Sequence, residues 1–384
     1  MKFVVGGRAS ACVVKTVLVA ALCLASCMSG RADQAVQADD SLPSYRSTES
    51  VTGSVTSIGA HNLDTLMQSW GEAFQRIYPE AKIDLHPGVP LSAEGLDALI
   101  EGRAELAPFA REAFPSEEQA FQARFGYAPL LICVAGGSYA TKFNTHALAI
   151  YVNASNPLKQ LTIAQLDAIY SRTRRLGYPE DITRWGQLGL TGDWANRPIH
   201  LYGMVSRYKK TGNPPGILYF FTQRALGGGE MKSTVREIAD PTRPELMRGP
   251  GDRSEPRPIT ASGGSAALEA LDGIVAAVAT DPAGIGYSGF RNKREGTKTL
   301  ALGENPLGPF SAGTLQDVLR RDYPLSRKVY IAVNQEPGKP MRPILREFLR
   351  FVLSREGQAI VAHDPSEYLP LTTSLANEAR AQLR

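Results

Sequence analysis

Apolar residues recur at two periods along this chain, alternation over short runs and helical spacing over longer ones, and the two alternate from about Val51 onward. GSVTSIGA, from Gly53, reads as a strand running into a turn, and Leu63, Leu66, Met67, Trp70 and Phe74 then form one helical stripe that stops at Tyr78-Pro79. KIDLH supplies a second strand, Ala93 to Gly102 a helix, and ELAPFAR, Glu105 to Arg111, a third strand with its exit loop. ALAIYVN, from Ala147, is a further strand. A turn at Asn156-Pro157 leads from it to a helix capped by Thr162, with Leu166, Ile169 and Tyr170 facing inward. Pro198 to Gly203 is a strand, Phe220-Phe221 lie in a helix, Leu268 to Ala279 is an apolar helix, and GIGYSGF from Gly284 is a strand. Near the end, Val329, Ile331 and Val333 alternate with Tyr330 and Ala332. After the EPGKP turn, Ile344, Leu345, Phe348, Leu349 and Val352 recur at helical spacing, while Arg342, Arg346, Glu347 and Arg350 are read onto the opposite, polar face. Ser354 caps a second helical segment through Val361, and YLPL at Tyr368 resumes an extended path.

Repeated strand–turn–helix units over 384 residues imply an α/β protein with two cores, since the chain exceeds the usual single-domain range. Hydrophobic content of 43% and charged content of 21% are ordinary for such a fold.

The first residues change the charge and cysteine counts. Lys2, Arg8 and Lys15 precede and flank the short apolar run Thr16–Leu24, which is below the roughly 20 residues a spanning helix needs. We read residues 1–26 as an export signal. Leu24-Ala25-Ser26-Cys27 looks like a bacterial lipobox, which makes Cys27 the lipidated first residue of the mature chain; an ordinary secretory signal cleaved nearby is the alternative. Removing the signal takes the formal charge from +4 to +1, which gives no reason to expect nucleic acid as a partner. Cys12 and Cys23 leave with it, so Cys133 has no partner for an intramolecular disulfide and is expected as a small hydrophobe in a strand. Residues 27–50, rich in Ser, Asp, Gln, Ala and Arg without periodicity, read as a flexible tether.

Several chemistries find no motif. Gly284, Gly286 and Gly289 match G-x-G-x-x-G by letter, but a helix precedes them and a strand contains them, the reverse of a dinucleotide loop. Ser288 has Gly286 two residues before it but Phe290 two after, so the nucleophile-elbow pattern is incomplete, and no P-loop is present. The five histidines, His61, His86, His146, His200 and His363, show no zinc spacing. Neither cofactor, metal nor catalytic group is expected. Trp185 and Trp194 are expected to pack rather than to stack on a ligand.

The ordered succession YPLSR, YIAVN, PGKP, REFLRFVLSREGQ and YLPL closely resembles the C-terminal segment of the phosphate-binding receptors of ABC importers, the extracytoplasmic solute-binding proteins. The ALAIYVNASNPLKQLTIAQLDAIYS block is also similar to theirs. This resemblance implies a two-lobed periplasmic-binding-protein-like fold of type II, with two crossovers: residues 51–145 and 291–384 in the first lobe and 146–290 in the second. It implies phosphate or another small anion as ligand, an ABC permease as partner, and a periplasmic or cell-surface location, with Cys27 holding the chain to the membrane.

The resemblance also points to ligand loops, and there the sequence departs from the family. The family's Gly-Ser-Asp-Thr is Gly59-Ala60-His61-Asn62, leaving Asn62; Gly-Ser-Ser-Thr becomes Pro87 to Ser92, leaving Ser92; Met-Ser-Arg becomes Phe109-Ala110-Arg111, keeping Arg111. In the second lobe Arg207 stands before Thr211, Gly212 and Asn213 at the family's spacing for an Arg followed by Ser-Gly-Thr. A guanidinium offers two parallel hydrogen bonds to an oxyanion. A solvated basic loop is the alternative for this segment. His61 falls in the first loop, where as a cation it favours an acidic ligand and as a neutral ring it hydrogen-bonds. Ser262 to Ser265, before an apolar helix, either face an anion or merely cap that helix. The lost hydroxyls also suit a second reading, a receptor-derived surface interaction or signalling protein that has given up transport.

Overall fold

The computed structural model describes residues 1–2, 36–86, 95–141, 145–204, 214–238, 247–248 and 264–383. The chain divides into two compact units, Met1–Gln37 and Ala38–Arg384. All elements belong to the second. In order they are β1 (Gly53–Ser57), α1 (Asp64–Ile77), β2 (Ala81–Leu85), α2 (Gly95–Ile100), β3 (Leu106–Phe109), α3 (Pro115–Phe125), β4 (Leu130–Gly136), β5 (Leu148–Asn153), β6 (Gln160–Thr162), α4 (Ile163–Tyr170) and β7 (His200–Tyr202). Then come α5 (Gly216–Leu226), β8 (Glu237–Ile238), β9 (Met247–Arg248), α6 (Gly264–Thr280), β10 (Gly284–Gly289), β11 (Thr297–Thr299), β12 (Ala301–Gly303), α7 (Leu315–Arg320), β13 (Lys328–Val333), α8 (Pro343–Val352), α9 (Arg355–His363) and α10 (Thr373–Ala381).

Two mixed sheets organise the molecule. The first has the order β2-β1-β3-β13-β4, the second β11-β5-β10-β7. In the first, β1 runs parallel to β2 and β3, while β13 returns from far along the chain to lie antiparallel between β3 and β4. In the second, β5 is antiparallel to β10 and β11, and β7 is parallel to β10. Strands β6 and β12 form a separate parallel pair, and β8 and β9 a short antiparallel one. The chain therefore leaves the first sheet after β4 and rejoins it at β13.

Apolar periodicity placed the packing faces correctly. Ile344, Leu345, Phe348, Leu349 and Val352 of α8 are buried, and Phe348 meets Phe74 of α1 edge to face at 5.4 Å. Trp70 is fully buried with its indole N–H donating to Gly357 O at 2.9 Å, so its polar edge is satisfied inside the core. Each such large side chain contributes roughly 1.5–3 kcal/mol through burial. Thr162 and Gln165 close a reciprocal capping box at the start of α4, and Ser354 caps α9 through Gly357 N. All six residues of β10 are buried. Its glycines serve packing: a Cβ on Gly286 would stand 2.5 Å from Ile274 Cγ2 on α6. Trp185 is buried and meets Trp194 edge to face at 6.2 Å, and Arg197 lies over the Trp194 ring. Cys133 lies in β4 but only half-buried, with its thiol pushed upward in pKa by burial.

Two expectations are corrected. The tether read over 27–50 does not extend through residues 38–50, which bind back onto the C-terminal helices. Leu42 is fully buried, Arg355 donates to Leu42 O at 3.0 Å, and Asp39 accepts from Thr373 N at 2.9 Å and Thr373 Oγ1 at 2.8 Å. Periodicity misses such a strap because it docks irregularly, by single side chains. Glu347 is not on an exposed face either: it is 0% exposed and accepts from Tyr45 OH at 2.6 Å, from Tyr78 OH at 3.3 Å and from Thr48 Oγ1. Finally, α3 and α10 are helices that the apolar pattern alone does not mark. Burial alone would raise the Glu347 carboxyl, but the hydroxyls of Thr48 and Tyr45 and the charge of Arg350 outweigh it and hold the group below the usual range.

This sets a sign for acid sensitivity. A carboxyl with a lowered folded pKa contributes its stability above the unfolded value of about 4.3 and loses it as pH falls through the folded value. Tyr45→Phe is expected to lower the unfolding free energy by roughly 1.5–3 kcal/mol at neutral pH. Urea unfolding at neutral pH and again in acid, as pH falls through the folded value of Glu347, should show that deficit shrinking; a deficit independent of pH would mean the charged carboxylate is not the acceptor that matters.

Candidate functional site

Because β1, β2 and β3 run parallel, the loops after them open on one edge of the first sheet. Strand order reverses between β2-β1 and β3, and such a reversal leaves a crevice at the carboxyl ends. Gly59, at the end of the first loop, shows how tightly this edge is built. A Cβ there would stand 2.6 Å from Pro108 N, and the next residue, Ala60, donates its N–H to Pro108 O at 2.8 Å. His61 and Asn62 follow in a 3-10 turn, the first exposed and the second half-buried. Arg111 leaves β3 on the same edge.

Arg111 is 6% exposed, and its guanidinium is engaged in a two-point pair with Glu117: Nη1 to Oε2 at 2.8 Å and Nη2 to Oε1 at 2.5 Å. Nη1 also donates to Glu112 O at 2.9 Å, and the plane lies 4.0 Å over the Phe114 ring. The pair follows from local sequence. Pro115 begins α3, so Glu117 is its third residue and turns back to accept Phe114 N at 2.8 Å. That places its carboxylate beside Arg111. Next to it Glu118 has its pKa raised by burial first and by the charge of Glu117 second.

The amino end of α5 meets this edge. A Cβ on Gly216 would lie 3.2 Å from Arg111 Cδ, and Phe114 packs edge to face on Tyr219 at 4.7 Å. The next residue, Phe220, lies under the guanidinium of Arg327, 4.8 Å from the ring centre. Arg327 is 4% exposed and pairs with Glu112 through Nη2 at 3.2 Å. Thr145, on the crossing from β4 to β5, donates to Ala110 O in the Arg111 loop.

Of the residues proposed from sequence, Asn62 and Arg111 thus lie in loops at one sheet edge. Ser92, Arg207, Thr211, Gly212 and Asn213 lie outside the described residues, as does Cys27. The described start of α5, three residues after Asn213, is against Arg111. Sequence reading passed over Glu112, Phe114, Glu117, Tyr219 and Arg327. Glu117 carried a signal, an acidic residue two after the Pro of a helix start. Arg327 stood in YPLSR with no role attached. Two residues with chemistry elsewhere are structural: Ser288 donates to Leu271 O and accepts from Asn292, and His200 and Tyr202 share the Asp281 carboxylate.

A family model for the PBP superfamily domain matches residues 45–356. The phosphate-binding protein PstS of Pseudomonas aeruginosa is 35% identical over 366 residues, 95% of this chain and 98% of that protein. Protein SphX of Synechococcus elongatus is 25% identical over 309 residues, 79% of this chain and 74% of the relative. Among solved structures, the crystal structure of PstS from Borrelia burgdorferi covers 83% of this chain and 99% of its own, with a TM-score of 0.49 and 15% identity.

The Arg111–Glu117 pair is largely withdrawn from water, Arg111 buried and Glu117 half-buried, so breaking it from one end leaves an uncompensated charge. Arg111→Ala is expected to cost about 3–5 kcal/mol in denaturant unfolding. Adding Glu117→Gln should return part of that loss; simple additivity of the two changes would show that the ions act independently.

Proposed function

This chain belongs to the PBP superfamily, and from that premise we propose that it captures phosphate or a related oxyanion outside the cytoplasm and delivers it to an ABC importer. The observation that carries the reading is the meeting of one loop edge with a helix start. The carboxyl edge of β1 and β3, with Asn62 and Arg111, abuts the amino end of α5, which directly follows the segment bearing Arg207. An anion held there is reached by backbone N–H groups at a helix start and by side-chain donors from both halves. Each hydrogen bond to a charged group is worth about 1.5–3 kcal/mol net. That gain must repay the stripping of water from the anion, and it does so only when both halves close on it.

In this proposal Asn62, Ser92 and Arg111 serve from the first lobe, and Arg207, Thr211, Gly212 and Asn213 from the second. Arg111 enters already balanced by Glu117, so Arg207 supplies the larger share of new charge pairing. The first lobe comprises 51–145 and the part of 291–384 that follows the second crossing, with the second lobe between. We put that crossing after β12 rather than at 290, because β11 pairs with β5 and β12 with β6. Closure around the ligand stabilises one form of the clamshell, and the permease reads that form. Residues 1–26 direct export, and Cys27 carries the lipid that keeps the receptor at the membrane. The role is capture without turnover. The Pseudomonas relative, named for phosphate binding and matched nearly end to end, favours this reading over that of a surface interaction module.

Isothermal titration with phosphate, sulfate and small carboxylates tests the proposal directly, with phosphate expected to bind. Arg207→Ala should abolish that affinity while leaving the melting temperature nearly unchanged. A folded wild type that binds no anion would overturn the function, and undiminished affinity in the variant would overturn the loop assignment alone.

A further inference from the structure

Two side-chain columns join the element that follows the candidate ligand segment to the body built on the first sheet. In one, Arg111 lies 4.0 Å over Phe114, which meets Tyr219 edge to face at 4.7 Å. In the other, Arg327 is held at its edge by Glu112 at 3.2 Å and presents its face to Phe220 at 4.8 Å. Arg327 Nε is buried and makes no hydrogen bond among the described residues, so this guanidinium is retained as much by its face as by its edge. Tyr219 and Phe220 are consecutive on α5, so their side chains diverge, and each engages one column. Helix α5 itself is built on the second sheet: Phe221 stacks on Tyr287 of β10 at 3.7 Å and meets Tyr170 of α4 at 5.3 Å.

We propose that Tyr219 and Phe220, with Phe114 and Arg327 opposite them, form a latch that holds the two halves together. The inference rests on the proposed capture function and adds residues that touch no ligand to its machinery. The chemistry suits a latch that must also reopen. A cation over an aromatic face and an edge-to-face ring pair are attractive, yet neither leaves a stranded charge when it parts. Arg111 keeps Glu117 and Arg327 keeps Glu112, since both ion pairs lie wholly on the first-sheet side. An ion pair bridging the halves would instead pay for two bare ions at each opening.

Removing one column should reduce the closed population and release ligand faster. Stopped-flow dissociation and titration with phosphate are read on Tyr219→Ala, which removes a half-buried ring, and on Phe220→Leu, which keeps bulk but removes the π face. Each is expected to weaken phosphate binding about three- to tenfold, chiefly through the dissociation rate, with Tyr219→Phe behaving as wild type. Small-angle X-ray scattering of the ligand-free proteins should show a larger radius of gyration for both variants. Scattering does not need the ligand: if the wild type binds no phosphate, the capture reading fails while a changed radius still upholds the latch. An unchanged radius and dissociation rate in Tyr219→Ala overturn it, and that variant decides alone should Phe220→Leu not fold.

Discussion

The position of β13 constrains everything else. It is hydrogen-bonded on both edges, to β3 through Tyr330–Val333 and to β4 through Lys328–Val333, so the first sheet has a gap in its middle until the chain has made its excursion and returned. The excursion is the second sheet. One central strand thereby converts what could have been two consecutive domains into two interleaved halves joined by paired crossings. Paired connections permit bending about one axis and resist twisting, which is the mechanical requirement for a cleft that opens and shuts.

Around that frame three buried charges are handled by a common rule. Glu347 is neutralised by hydroxyls and Arg350, Arg111 by Glu117, and Arg327 by Glu112. In each case the partner comes from the same sheet's half or from the strap bound to it, so none of these three contacts bridges the halves. The contacts described between the halves at the candidate cleft are a ring pair, an aliphatic stem and a guanidinium over a ring: Phe114 on Tyr219, the Arg111 stem on Gly216, Phe220 under Arg327. In the proposal Arg207, which lies outside the described residues, supplies the larger share of new charge pairing to the ligand.

Most of the architecture was legible in the sequence because it is written in periodicity. The α8 stripe, the Thr162 cap, the continuous apolar β10 and the β13 alternation each fix a buried face, and burial is what those patterns encode. Where a side chain's fate depends on a distant partner, the pattern said nothing. Glu347 looks like any polar residue on an amphipathic helix until Tyr45 and Thr48, some 300 positions earlier, arrive to receive it. Helix α3 intersperses polar and charged residues with few apolar ones and owes its place to Pro115, Glu117 and Phe121 rather than to a stripe. The candidate site was legible only in part for the same reason. Arg111 could be named as a cation in a loop, but its ring partner and counter-ion are set by how α3 and α5 pack.

The strap at residues 38–50 has a consequence for the order in which the molecule assembles. Its contacts span 311 residues from Tyr45 to Glu356, and 334 from Asp39 to Thr373. Contacts of such separation form late, because the intervening chain must first be brought to heel. A segment near the front of a nascent chain therefore stays unfastened until the final helices exist. For a polypeptide threaded through a translocation pore, that delay is useful: the leading stretch remains loose during passage, and fastening it becomes the closing step of maturation.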